Sequence, residues 1–123
     1  MGRLPFEGIR ILDSTYVFAL PYGAALMADL GAEVIKIEGL GHIDVTRSAR
    51  YSGAFPEDDP GEDWWNRTTT YNLLNRGKRS LTLDLNNPKA QEIFRELAKV
   101  SDVVMENFTP RVMRRWGLDY QSL

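Results

Sequence analysis

The sequence predicts an α/β fold with a mostly parallel sheet, because strand-like and helix-like segments alternate from one end of the chain to the other. The first unit, within residues 9–38, is a strand, a short helix and a strand, and a crossover of this kind joins parallel strands. A second helix, within residues 88–100, has apolar side chains at helical spacing and leads into another apolar strand segment. A chain of 123 residues fits one domain.

The first three elements follow one another directly. Residues 9–12 are apolar-rich and predict the first strand, which polar residues end. Pro21 marks a first helical turn and Gly31 lies just past a last one, so a helix is predicted over residues 21–30. Small and apolar residues nearly surround this helix, so we expect it to be buried on most sides. Residues 33–38, EVIKIE, predict the second strand.

The middle of the chain is irregular. Residues 39–70 have no sustained apolar period, and a loop of this length in a compact domain is usually functional or mobile. Residues 71–75 fit one helical turn. Residues 81–85 alternate leucine with polar side chains, which predicts a third strand with one solvent-exposed face, as is typical of a sheet edge.

The last part of the chain returns to regular structure. Asn87 and Pro88 form an N-cap and first-turn pair ahead of the amphipathic helix. Residues 102–105, DVVM, predict the fourth strand, and Thr109 caps a short helix, RVMRRW, which the following glycine stops. Asp119 has the character of a cap for a helix that has barely begun, so we expect the chain to be an incomplete, truncated domain.

Composition excludes several classes of function. The net charge of −2 gives no field over the whole protein that would attract nucleic acid or an anionic membrane. The absence of cysteine excludes disulfides, thiolate metal sites and a cysteine nucleophile. No segment approaches the ~18 apolar residues of a membrane span, and no signal peptide is recognisable, so a cytoplasmic protein is expected.

Common catalytic and cofactor motifs are also absent. The segment after the first strand, DSTYVFALPYG, has no G-x-G-x-x-G pattern, and the phosphate loop of nucleoside triphosphatases is missing. His42 near Asp44 is a common surface arrangement, so no metal site is predicted. A serine hydrolase would need His42 as the base together with a G-x-S-x-G elbow, which the chain lacks.

Of the ligand classes considered, an anionic ligand is the one that the clustered cations of the chain favour. Arg76, Lys78 and Arg79 surround Gly77, whose backbone can offer N–H groups to an anion. Further arginines lie in the long loop and on the last helix: Arg47, Arg50, Arg111, Arg114 and Arg115. Taken alone, a charge run is more often a solvated face. The residues alone therefore indicate no more than an α/β domain with a possible phosphate-rich ligand, near the carboxyl ends of its strands.

Several motifs, taken in order, resemble the N-terminal part of the family III CoA-transferases: GIRILD, LMADLGAEVIKIE, GHIDVTR, LNRGKRSLTLDLNNP and DVVMENFTPRVMRRWGLDY. That family includes formyl-CoA and carnitine-CoA transferases and α-methylacyl-CoA racemase. The resemblance implies a Rossmann-like sheet with helices on both faces and a CoA-binding segment over residues 1–123. It also implies an acyl-CoA and a small carboxylic acid as substrates, and an interlocked homodimer.

The resemblance further implies contacts with CoA from four places in the chain. The implied residues are Phe18, Ala19, Leu74, Asn75, Arg76, Gly77, Lys78, Asn107, Phe108, Thr109 and Arg115. Most of them coincide with the cationic and strand-end candidates, and the phosphates of CoA would give the cations a reason to gather.

The same resemblance places the catalytic aspartate of the transferases beyond Leu123, so no catalytic residue is assigned here and the chain alone is expected to be inactive. Two alternatives stay open. One is an acyl-CoA racemase or epimerase of the same family, and the other is a non-catalytic CoA-binding fragment.

Overall fold

The computed structural model describes residues 2–48 and 54–123, and it contains a four-stranded parallel sheet. The strands are β1 (Arg10–Asp13), β2 (Glu33–Glu38), β3 (Arg79–Thr82) and β4 (Val103–Met105), and they lie in the order β3-β2-β1-β4. The helices are α1 (Ala19–Asp29), α2 (Trp64–Arg67), α3 (Thr69–Asn75), α4 (Pro88–Lys99) and α5 (Pro110–Trp116). In the described part of the chain, no helix combines the length and apolar character needed to cross a membrane.

Helices cover both faces of the sheet, as predicted. Along β1, Ile11 packs with Ala24 of α1, whereas the next residue, Leu12, packs with Phe94 of α4 and Met113 of α5. This division follows from the strand geometry, because successive side chains point to opposite faces. The two apolar clusters together form the core that fixes the ends of the strands.

The boundaries of α1 differ from the prediction at the first turn. The helix begins at Ala19, so Pro21 is its third residue rather than its first. Proline is tolerated there because the N–H groups of the first helical turn have no partner within the helix. At the other end, Gly31 takes φ +103°, a conformation that suits glycine best.

The prediction that α1 is buried on most sides is wrong. Its buried side chains are Pro21, Ala24 and Ala25, which face the sheet and α3. Large side chains of the helix and of its C-cap residue are exposed instead: Leu20, Tyr22, Leu26 and Leu30. The described residues place no further element over this outer side, and apolar composition alone could not reveal that.

The third strand is shorter and earlier than predicted. It ends at Thr82, because its partner β2 ends at Glu38, directly opposite. One further bond runs from Leu83 N to Glu38 O at 3.1 Å, after which the chain leaves the sheet. Its position at the sheet edge agrees with the prediction.

The long irregular segment contains short helical turns. Val45–Arg47 and Pro56–Asp58 are 3-10 turns, α2 follows them, and α3 extends the predicted single turn to seven residues. Arg50, one of the candidate cations, lies outside the described residues.

The two predicted helix caps behave differently. Asn87 accepts a hydrogen bond from Lys89 N at 2.9 Å, but the side chain of Thr109 makes no capping bond. Asn87→Ala is therefore expected to lower the free energy of unfolding by about 1 kcal/mol, measured by urea denaturation. Thr109→Ala is the matched control, and an equal loss in both variants would contradict this assignment.

Candidate functional site

The candidate site lies where the strand order reverses. The chain places β2 and β3 on one side of β1 and then returns to place β4 on the other. Ligands of open α/β sheets bind at such a switch point, outside the carboxyl ends of the strands. The loops that leave β1 and β4 are the two that meet here.

Asn107 joins these two loops. Its side-chain oxygen accepts from Tyr16 N at 2.9 Å, and its amide nitrogen donates to Tyr16 O at 2.8 Å. Ser14 adds a second link, because both its backbone N–H and its hydroxyl donate to Met105 O. The β1 loop is therefore held against the end of β4 by paired bonds that fix its backbone.

An open cleft with an empty volume of about 620 Å³, part of it open to solvent, lies beside this junction. Three aromatic rings meet along it: Phe108 lies 5.5 Å from Tyr16 and 5.1 Å from Trp116 between ring centroids. Arg115, His42 and Asn86 contribute polar groups to the lining. An aromatic lining beside a guanidinium suits a ligand that carries a planar ring and a phosphate.

The structure brings some predicted site residues together at this cleft and separates others from it. Phe108 and Arg115 line the cleft, and Asn107 and Thr109 flank Phe108. Phe18 and Ala19 lie at the exposed beginning of α1, one loop away. The remaining candidates, residues 74–78, lie on the α1 side of the sheet and run from the last two residues of α3 to the residue before β3.

Lys78 is an internal residue in this arrangement. Its side chain is 1% exposed, and its ammonium donates to Asp13 Oδ2 at 2.7 Å, Pro21 O at 2.9 Å and Asn75 Oδ1 at 3.0 Å. Three acceptors use the three N–H bonds of a lysine. Burial lowers the pKa of Lys78, and attraction to the Asp13 carboxylate opposes that shift.

The neighbouring cations are paired as well. Arg76 binds Asp29 with its Nη2 2.5 Å from the carboxylate, and Arg79 binds Glu33 at 2.6 Å. Of these pairs, the one made by Arg79 is the more open, because Arg79 is 75% exposed. A contact between these cations and an external anion stays a prediction, and such a contact would have to share or replace these bonds.

A buried polar network that sequence reasoning missed lies behind these residues. Its charged members on the α1 side of the sheet are Asp13, Lys36, Glu38, Asp44 and Arg47. Lys36 donates to Thr15 O, and its ammonium lies 4.0 Å from Asp44 Oδ2 and 4.9 Å from the centre of the Tyr16 ring. A lysine inside an otherwise apolar strand was the signal for this network, since a buried charge requires a partner.

Burial also shifts proton affinities in the network. It lowers the pKa of Lys36, while the carboxylates of Asp13, Asp44 and Glu38 oppose that shift. Burial raises the pKa of Tyr16 to about 12 and that of Tyr71 further above its usual value. Both phenols therefore stay protonated at neutral pH, so they can donate hydrogen bonds but do not act as bases.

Metal chemistry finds no support in the described ranges. Within residues 2–48 and 54–123, no three histidine or carboxylate side chains are grouped so that they could hold a metal ion. His42 and Asp44, the pair considered from sequence, differ in environment: His42 is exposed and Asp44 is buried.

Comparisons with known proteins agree with the resemblance. The family model described as CoA-transferase family III matches residues 6–123. A succinate–glutarate CoA-transferase of Agrobacterium fabrum is 39% identical over 119 residues, which are 97% of this chain and 29% of that protein. A formyl-CoA:oxalate CoA-transferase of a Bradyrhizobium species is 41% identical over 117 residues, or 95% of this chain and 25% of that protein.

Solved structures give the same result. A CAIB/BAIF family protein from Brucella suis matches with a TM-score of 0.81 and 31% identity, over 98% of this chain and 30% of that one. Rv3272 from Mycobacterium tuberculosis, in its D175A mutant, matches with a TM-score of 0.79 and 34% identity, over 98% of this chain and 29% of that one. The chain thus spans between 25% and 30% of the length of these relatives.

Proposed function

The chain belongs to CoA-transferase family III, and we propose that it is the CoA-binding portion of an enzyme that moves CoA between an acyl-CoA and a carboxylic acid. In this proposal residues 1–123 form a Rossmann-like segment of a larger family III domain. The complete enzyme is an interlocked homodimer, and its catalytic aspartate lies outside this chain. The transferase names of both curated relatives favour this activity over racemisation.

One observation carries the proposal: an arginine and three aromatic rings line a cleft at the switch point of the sheet. The phosphates of CoA match the fork of Arg115, and its adenine matches the aromatic lining to which Phe108 and Trp116 contribute. Asn107 holds the loop beneath them through its two bonds to Tyr16. These residues bind and orient, and none of them is a candidate nucleophile.

The other proposed contacts extend from this cleft. Phe18 and Ala19, at the beginning of α1, would face the thioester end of the bound molecule. Residues 74–78 supply the remaining cations, of which Arg76 is the more accessible and Lys78 the more buried. A test of Lys78 must therefore separate lost affinity from lost stability, whereas Arg115 is exposed and allows a simpler test.

Arg115→Ala is expected to weaken CoA binding by tenfold or more, because a hydrogen bond to a charged group contributes about 1.5–3 kcal/mol. The measurement is isothermal titration calorimetry of the 123-residue chain with CoA. Pantetheine, which lacks the nucleotide and its phosphates, should bind both proteins alike.

Arg111→Ala is the matched control, since Arg111 is an exposed cation of the same helix that does not line the cleft. Its dissociation constant for CoA should stay within about twofold of the parent value. If the parent chain gives no heat with CoA, the proposed function of this chain is wrong. If Arg111→Ala and Arg115→Ala lose affinity equally, the cleft is not the site.

A further inference from the structure

Asp44, in the segment GHIDVTR, has a buried carboxylate whose two oxygens both accept hydrogen bonds, and the Lys36 ammonium lies 4.0 Å from its Oδ2. One oxygen accepts from the backbone N–H of Thr46 at 2.9 Å and from its hydroxyl at 2.7 Å. The other accepts from Val17 N at 3.0 Å. The side chain is 0% exposed, so water does not compete for these bonds. Asp44 therefore connects the segment after β2 to the loop after β1.

Val17 is held in an unfavourable conformation. Its φ is +75°, and among the described residues it is the one β-branched residue with positive φ. A side chain branched at Cβ makes this region costly, and such a residue persists only where its surroundings hold it. A hydrogen bond from Val17 N to Asp44 reaches this residue from another segment.

The position of Asp44 is itself well determined. Its own N–H donates to Glu38 Oε1 at 3.1 Å, which ties it to the end of β2. The following turn is anchored where Thr68 donates its hydroxyl to Thr46 O at 2.7 Å. The carboxylate thus projects from a fixed turn rather than from a free loop. It can therefore hold Val17 in one backbone conformation.

The strained residue directs the chain toward the candidate site. On one side of Val17, Tyr16 is fixed by Asn107 and lines the cleft. On the other side, Phe18 is the N-cap of α1 and Ala19 its first residue. A change at Val17 would therefore alter the direction in which Phe18 and Ala19 leave the cleft.

We propose that Asp44 is a positioning residue that holds Val17 in the left-handed conformation and so sets the path of the CoA-facing loop between β1 and α1. This inference rests on the proposed function for its consequence in binding. The hydrogen bond by which Asp44 holds Val17, here called the clamp, can be measured without any ligand.

Asp44→Asn tests the clamp, since it keeps the shape of the side chain and removes the charge that favours the Val17 bond. It also removes a negative charge 4.0 Å from the Lys36 ammonium, a loss that is the same with valine or glycine at position 17. Hydrogen exchange of the Val17 amide should become at least tenfold faster, and the affinity for CoA should fall about tenfold. Thr46→Val is the control. It removes one bond to the same carboxylate but leaves the Val17 bond, so Val17 exchange and CoA affinity should stay within about twofold of the parent.

Val17→Gly supplies a rescue that separates positioning from general stability. Glycine adopts positive φ without steric cost, so it does not need the clamp. In a Val17→Gly background, Asp44→Asn should reduce CoA affinity by less than about threefold. If Asp44→Asn alone does not fold, the double variant should recover a cooperative unfolding transition.

The outcomes are distinct. A parent chain that does not bind CoA overturns the proposed function, while faster Val17 exchange in Asp44→Asn would still support the clamp. Unchanged Val17 exchange overturns the inference. So does an equal loss of CoA affinity with valine or glycine at position 17, and so does a double variant that stays unfolded.

Discussion

Replacing Lys78 with methionine is expected to lower the free energy of unfolding by about 3–5 kcal/mol, because it leaves a buried carboxylate without its cation. The ammonium lies 2.7 Å from Asp13 Oδ2, and the two side chains are 1% and 0% exposed. Methionine fills a similar volume, so the loss reports mainly on charge and hydrogen bonding. The free energy of unfolding of a whole domain is about 5–15 kcal/mol, so the variant should be only marginally folded.

The measurement is urea denaturation of parent and variant. Sucrose is added to both because it stabilises the folded state, so that the folded baseline of the variant can be recorded. Arg79→Met is the matched control, one residue along the chain. Arg79 also binds a carboxylate at 2.6 Å, but it is 75% exposed, and exposed ion pairs contribute little. Similar losses in the two variants would show that the Lys78 pair is not buried in solution.

The same variant separates the two roles of Lys78. If Lys78 only connects β1, α1 and α3, folded Lys78→Met should bind CoA with nearly the parent affinity. If its ammonium also reaches a phosphate of CoA, affinity should fall in addition to stability. Comparing the CoA-dependent rise in unfolding free energy of parent and variant decides between these two results.

The pairing of the cationic cluster could not be predicted from its sequence. The pattern around Gly77 correctly showed three adjacent cations. Their partners lie far away in the chain, however: Arg76 binds a carboxylate 47 residues away, and Lys78 binds one 65 residues away. Only the crossovers of the sheet bring such residues together, and the order of the strands was not readable from the sequence.

Regular elements were predicted better than their surroundings. The limits of β2 and the start of α4 agree with the sequence pattern, because a short buried strand and an Asn-Pro cap are local signals. The burial of α1 was wrong, since it depends on what packs against the helix and not on its composition. The end of β3 was wrong because it depends on the length of β2.

The candidate site shows the same division. The ends of β1 and β4 were expected to carry functional residues, and Phe108 and Arg115 do line a shared cleft. Asp44 was considered only as a neighbour of His42, although its structural partner is the strained Val17. Strain of this kind has no sequence signature, because valine is common in extended backbone and rare at positive φ.

The second large effect is expected at Arg47, in the same segment as Asp44. Its guanidinium donates to five acceptors: Glu38 Oε1, Glu38 Oε2, Tyr71 Oη, Trp65 O and Asn66 Oδ1. It also lies 3.6 Å from the centre of the Tyr71 ring. Arg47 thus joins the end of β2 to α2 and α3 through a single side chain.

Arg47→Met should therefore lower the free energy of unfolding by about 3–5 kcal/mol, again because Glu38 would be left buried without a cation. Glu38 and Arg47 are 8% and 11% exposed, and Arg47 Nε lies 2.7 Å from Glu38 Oε1. Arg47→Lys should recover only part of this loss, since an ammonium cannot reproduce the planar fork that serves several acceptors at once. Urea denaturation of the three proteins provides the comparison.

Tyr71→Phe is the control for Arg47, because it keeps the ring on which the guanidinium lies and removes only the hydroxyl, which accepts from Arg47 and donates to Glu38 Oε2 at 3.2 Å. We expect it to lower the free energy of unfolding by about 2 kcal/mol, since two hydrogen bonds are lost and each usually contributes about 1 kcal/mol. A loss in Arg47→Met no larger than in Tyr71→Phe would mean that Glu38 reaches water or another donor once Arg47 is gone. The segment after β2 would then be held by Asp44 and Thr46 rather than by Arg47, and the clamp on Val17 should survive in Arg47→Met, with parent-like exchange of the Val17 amide.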